Sequence, residues 1–284
     1  MKKILTTFFT FIILIPNCLP QTFQFDKSIG SFSNASSFYI NSAGIIFITD
    51  AGKDNIVQLD TLGKVIYSIG GYGWQESAFD NPVDVFADAL KVFVSDKNNN
   101  RIQQFDKNLN FISEIKTKDS EIEEEQFGYP LSAVMSNQGD IFILDSDNSR
   151  IVKFNIFGDF IQNFGGYDYG NYSLQKPRQL AVSMSNNLFV IDENGINIYD
   201  QYGNGIGKIK GEDKFKSIRI IFSKMILTTA GKIYTSDLKS SPLKIEEIEL
   251  SGFDNLQEII SAFQFKERLY VLTKNNILIF NKTN

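Results

Sequence analysis

The chain has 284 residues, a net charge of −5, no histidine and one cysteine. An acidic chain with no run of Lys and Arg is a poor partner for nucleic acid or an anionic membrane surface, which both want basic patches. The missing histidine removes the usual general base and the commonest zinc ligand, and a single cysteine leaves no disulfide within the chain.

Taken in order, residues 1–20 read as a signal peptide. Lys2 and Lys3 give a positive start, and residues 4–15 form an apolar core too short for a comfortable bilayer span. Two processing routes fit. One is cleavage before Gln21. The other is lipidation of Cys18, although Pro16 and Asn17 match a lipoprotein box poorly. The mature protein is expected outside a bacterial cytoplasm, periplasmic or extracellular, or anchored to the outer membrane by lipid at Cys18. Residues 21–284 are expected to form one monomeric domain without a transmembrane segment. The 26 Phe and 11 Tyr suit half-buried pleated surfaces.

From residue 21 onward a repeat runs along the chain. Its anchor is a short apolar run ending on Asp: Ile46-Phe47-Ile48-Thr49-Asp50, Val92-Phe93-Val94-Ser95-Asp96, Ile141-Phe142-Ile143-Leu144-Asp145, Leu188-Phe189-Val190-Ile191-Asp192 and Ile233-Tyr234-Thr235-Ser236-Asp237. Successive spacings are 46, 49, 47 and 45 residues, and a sixth copy ending on Thr273 follows 36 residues later. A polar turn and a β-rich stretch come after each anchor, as in Arg101-Ile102-Gln103-Gln104-Phe105 and Arg150-Ile151-Val152-Lys153-Phe154. An outer alternating stretch then closes the unit, as in residues 160–164 before Gly165-Gly166. Another apolar stretch precedes each anchor, often opened by proline (Pro82, Pro130, Pro177).

Four short strands in about 45 residues is the period of a propeller blade. One such meander cannot bury both faces, whereas radial stacking can. The expected fold is an all-β, six-bladed β-propeller of four-stranded antiparallel blades. The last repeat stops just after Phe280. Residues 23–32 look like an outer strand, much as residues 64–70 do, so the N-terminal strand is expected to close the sixth blade.

These residues carry a resemblance. Pro-x-x-[VIL], then Gly-x-[IL]-[FY]-[IV]-x-Asp-x-x-Asn-x-Arg-Ile-x-x-Phe, then an outer strand ending Phe-Gly-Gly, is similar to the NHL repeat. The second and third copies match best, through Asp96 to Arg101-Ile102 and Asp145 to Arg150-Ile151. The first and fourth match in part, and the last two are degenerate. The resemblance implies the propeller fold for residue 21 onward. It leaves function open, because the family includes enzymes and non-catalytic scaffolds. Peptidyl-hydroxyglycine lyase relatives use histidine-bound zinc, which this chain does not supply. Gluconolactonase-like propellers hold calcium in the channel with Glu, Asn and Asp, and this chain offers Asp84 and Glu258.

The repeated aspartates are spread around a ring, so each is expected to tie down the backbone of its own turn. Arg101 and Arg150 are expected to brace their own blades. Asp145, Asp147 and Ser149 superficially match a calcium loop but lack its glycine and distant glutamate, so a turn is expected. The candidate binding column opens the innermost strands: Ser37, Asp84, Ser132, Gln179, Arg219 and Glu258. It stays polar while its chemistry varies, as a ring at the channel mouth would. Its alternative is a hydrated channel in which Arg219 pairs with Glu258. Two aromatic loops lead into the innermost strands on that face. Tyr72, Trp74, Tyr167 and Tyr169 are their candidate anchors. Trp74 and Tyr169 are expected to be exposed, and Tyr72 and Tyr167 to plug gaps between blades. The acidic residues 121–125 read as a solvated face.

The first functional expectation is an exported, non-catalytic module that binds a protein, peptide or glycan through its loop-bearing face, without a cofactor. The alternative is a calcium-dependent, gluconolactonase-like hydrolase.

Overall fold

The computed structural model describes residues 21–211, 214–253 and 258–283. The expected leader at residues 1–20, with Cys18, lies outside these. The chain opens with β1 (Thr22–Ile29). Four antiparallel meanders follow, each running from the axis outward. The first is β2 (Ala35–Ile40), β3 (Ile46–Asp50), β4 (Asn55–Leu59) and β5 (Val65–Gly70). The second is β6 (Pro82–Ala87), β7 (Lys91–Asp96), β8 (Arg101–Asp106) and β9 (Phe111–Ile115). The third is β10 (Ser132–Met135), β11 (Ile141–Asp145), β12 (Arg150–Phe154) and β13 (Phe160–Phe164). The fourth is β14 (Gln179–Val182), β15 (Leu188–Asp192), β16 (Gly195–Tyr199) and β17 (Gly205–Lys210). The remaining strands are β18 (Ser217–Ile221), β19 (Lys224–Thr228), β20 (Ile233–Asp237), β21 (Glu246–Ser251), β22 (Ser261–Phe265), β23 (Arg268–Leu272) and β24 (Ile277–Lys282).

Six separate four-stranded blades do not form. Among the described residues there are four such blades. The other eight strands make one continuous sheet, in the order β18-β19-β20-β21-β1-β24-β23-β22. The cause is the length of β1. It pairs antiparallel with β24 from Phe23 to Ile29. Its first residues also pair in parallel with β21, Thr22 with Glu249 and Gln24 with Ser251. The N-terminal strand therefore joins two meanders instead of only completing one. Around the axis, β2, β6, β10, β14, β18 and β22 lie side by side, with β22 back against β2.

The anchor ending on Asp237 also sits one strand further out than expected. The run Ile233–Asp237 is a third strand, β20, and not a second one. The second strand is β19, which ends on Thr228. The 36-residue interval therefore separates Asp192 from Thr228. Residues 224–228 lack the terminal aspartate, so the next apolar run fits the pattern better and hides them.

Burial explains the anchors. Second strands are covered on both faces by neighbouring sheets, and Ile46, Phe47 and Ile48 are fully buried. Continuous apolar runs are needed there, whereas the outermost strands alternate or stay exposed, as β5 does. Phe105 and Phe154 on the third strands are also fully buried, each contributing on the order of 2 kcal/mol by removal from water.

Candidate functional site

Five of the six predicted column residues come together, each on a different inner strand. Ser37 Oγ donates to Asp84 Oδ1 at 2.6 Å, Gln179 Nε2 donates to the same oxygen at 3.0 Å, and Ser132 Oγ donates to Asp84 Oδ2 at 2.5 Å. Arg219 Nη2 donates to Asp84 Oδ1 at 2.7 Å and also to Ser37 Oγ. Gln179 Oε1 accepts the Ile218 N–H at 2.7 Å. All five are buried, Asp84 at 2 % exposure and Arg219 at 3 %. The column is an interior knot that closes the channel and not a hydrated ring at its mouth.

Glu258 is not part of it. It pairs at the surface with Lys216, whose ammonium holds its carboxyl below the ordinary range. The expected Arg219–Glu258 pair is replaced by Arg219–Asp84. The residue on β22 is Ser261, which shares a 2.6 Å hydrogen bond with Ser217. Glu258 precedes that strand by three residues, so it lies in the entry loop and not on the inner strand.

The knot does not fit a calcium ion. Asp84 and Glu258 do not meet, and a guanidinium already stands against the Asp84 carboxylate. Removing one partner of a buried pair leaves an uncompensated charge, which costs about 3–5 kcal/mol. The knot therefore serves the fold.

Next to the knot lies an aromatic layer. Tyr39 packs at a tilt against Phe86 and edge-on against Phe263, with ring centroids 5.0 and 5.2 Å away, and the Arg219 guanidinium lies 5.7 Å from its ring. Burial pushes the Tyr39 hydroxyl up to about 12, with Arg219 acting the other way. It therefore stays protonated, and it donates to Ile220 O at 3.4 Å. Past this layer, where the inner strands end, the channel opens into a bowl of about 590 Å³. Leu90, Met184 and Phe222 stand exposed around it. Sequence reasoning missed this bowl. Its signal was the apolar residues at the ends of the inner strands and just beyond them.

The aromatic loops belong to the opposite end. Trp74 is 77 % exposed, as expected, and Tyr169 is 38 % exposed with its ring against Phe164. Tyr72 and Tyr167 do not plug gaps between blades; they are 72 % and 93 % exposed. The Trp74 loop is fastened from below. Arg101, 4 % exposed, pairs with Asp96 at 2.7 Å and donates to the carbonyls of Trp74, Gln75 and Ala78. Arg150 likewise donates to Glu123 O and Gln126 O, within the short 3-10 turn of the acidic loop and just after it.

The aspartates brace more than the turns after them. Asp50 accepts the N–H groups of Ser33 and Asn34, both at 2.7 Å, besides Gly52 N at 3.1 Å. Asp96 accepts Asp80 N, Asp145 accepts Gly128 N, and Asp192 accepts Gln175 N and Lys176 N. Each carboxylate thus staples the loop that enters its own blade. Asp147 accompanies Asp145 in its turn and pairs with Lys118 at 3.6 Å.

The strand order and the channel define a β-propeller. Residues 127–154, spanning the entry loop and first three strands of the third blade, match the NHL repeat. The third blade thus carries an NHL repeat within a β-propeller. The protein brain tumor of Drosophila melanogaster is 34% identical over 155 residues, which is 51% of this chain and 14% of that longer protein. Among solved structures, virginiamycin B lyase from Staphylococcus aureus is similar at 14% identity and TM-score 0.62, over 90% of this chain and 98% of that one. A gluconolactonase from Xanthomonas campestris is similar at 9% identity and TM-score 0.66, over 94% and 96%. At these identities the two enzymes share the fold alone with this chain. Among the described residues, no helix is long and apolar enough to cross a membrane.

Proposed function

We propose that this propeller is an exported, non-catalytic binding module that recognises a protein partner through its loop-bearing face. One observation carries the reading. A buried ion pair, Arg101–Asp96, holds by its carbonyls a loop whose indole is 77 % exposed. A large aromatic held rigid and open to solvent is the usual anchor of a recognition surface. Tyr72 and Tyr167 extend that surface. The knot adds support, because the buried Asp84 carboxylate on the axis is taken up by four side chains of the chain itself. The NHL propeller itself is compatible with binding and with the lyase and lactonase chemistry of its structural neighbours.

A second reading has its own observation. The apolar bowl of about 590 Å³ at the other end has the volume of a small-molecule pocket. Photo-crosslinking separates the two. A photoreactive residue at position 167 should capture a polypeptide in cells that make the protein, and one at position 222 should not. Capture of a polypeptide at 222 alone moves protein recognition to the bowl, and a small molecule crosslinked there supports the second reading.

A further inference from the structure

The fourth blade lacks an arginine that the second and third possess. Across the same hairpin, Asp96 faces Arg101, Asp145 faces Arg150, and Asp192 faces Gly195. Arg101 bonds Asp96, Glu114 and three loop carbonyls. Arg150 bonds Asp145 and the carbonyls of Glu123 and Gln126. In the fourth blade a cavity of about 420 Å³ lies between Asp192 and the entry loop at Gly170, Asn171 and Ser173. Gly170 and Ser173 stand 22 and 19 residues before Asp192, as Glu123 and Gln126 stand before Asp145. The carboxylate and the loop of the arginine seat are kept, and the arginine is gone.

The chain cannot refill the seat from position 195. Gly195 has φ +132, and a Cβ there would lie 2.2 Å from Ile209 O. Lys208 and Lys210 line the cavity and are exposed. Among the described residues neither pairs with Asp192, and Lys208 lies over the Tyr172 ring at 5.5 Å. Among the described residues Asp192 thus pairs with no cation, unlike Asp96 and Asp145, and its oxygens accept the Gln175 and Lys176 N–H groups. The loop bordering the cavity is the one that carries Tyr167 and Tyr169.

We propose that this seat takes the guanidinium of an arginine side chain supplied by a partner polypeptide. This rests on the reading that a protein meets the loop-bearing face. The chemistry is that of the neighbouring blades. A guanidinium is a planar fork of donors, matched to one carboxylate and several carbonyls.

The test uses a probe and no partner. N-acetyl-arginine N-methylamide is titrated into the 15N-labelled protein, with the citrulline analogue as a neutral control of the same shape. Saturable shifts are expected at residues 170–175 and 192–197 with the arginine probe and not with citrulline. Lys208 occupies the place that Glu114 holds in the second blade, opposite Asn197 as Glu114 is opposite Gln103. Lys208→Glu should therefore tighten the arginine probe several-fold. Equal shifts from citrulline, no saturable shift, or weaker binding in Lys208→Glu would overturn the proposal. An anion site would give that last result. A failed probe with capture at position 167 intact discards the seat and leaves the loop-face reading, and the reverse outcome keeps the seat.

Discussion

Asp84 accepts from four side chains, and it is the only carboxylate in the knot. Asp84→Ala leaves Arg219 as a buried cation without its partner, and Arg219→Ala leaves the converse. Each is expected to cost about 3–5 kcal/mol in urea unfolding, and the double apolar variant Asp84→Leu/Arg219→Met less than either single change. Losses below about 1 kcal/mol, within the range of an exposed pair, would contradict the buried knot. Two other carboxylates set opposite pH trends. Burial holds Asp96 above the ordinary range against the Asp80 N–H, Asn99 and Arg101. The folded state then binds the extra proton, so this contribution falls as pH rises from the ordinary value through the folded one. Hydrogen bonds from Asn110, its side-chain amide first, hold Asp106 below the ordinary range. That contribution is present above the ordinary value and is lost as pH falls through the folded one. Asp106→Asn should flatten the acid limb of thermal midpoint against pH, and Asp96→Asn should steepen it. The polar column was legible in the sequence as polar. Its burial was not, because which residues meet across an axis depends on the ring and not on spacing along the chain.

At the scale of elements, β1 has the largest consequence. Phe23 is fully buried and Ile29 nearly so, while the backbone of β1 pairs on both sides. Deleting residues 21–33 exposes β21 and β24 as edges, so the thermal midpoint and solubility should both fall. Phe23→Ala alone should cost about 3–5 kcal/mol. An unchanged midpoint in the truncated protein would show that β1 is only an accessory strand. The antiparallel contact with β24 was readable from the likeness of residues 23–32 to residues 64–70. The parallel contact with β21 was not, because nothing in either strand's pattern marks an outer edge that lies free for a second partner. The anchors were readable wherever an apolar run ended on Asp. They failed at Thr228, where the staple residue is absent and Asp237 mimics it one strand later.

For the whole molecule, the two ends of the channel differ. One end carries exposed aromatics on loops fastened by Arg101 and the aspartates. The other carries an apolar bowl, and the knot and the aromatic layer separate them. Loop composition pointed to the first end. The bowl is assembled from single residues of several blades, so no one stretch announced it. Trp74, the only tryptophan, reports directly on recognition at the loop-bearing face. Its emission is followed while the polypeptide captured at position 167 is titrated into the intact protein, Trp74→Ala and Phe222→Ala. The expected result is a saturable shift of the indole emission, a loss of about 2 kcal/mol or more in Trp74→Ala, and unchanged affinity in Phe222→Ala. Saturable binding with a silent indole, full affinity in Trp74→Ala and weakened affinity in Phe222→Ala would contradict it.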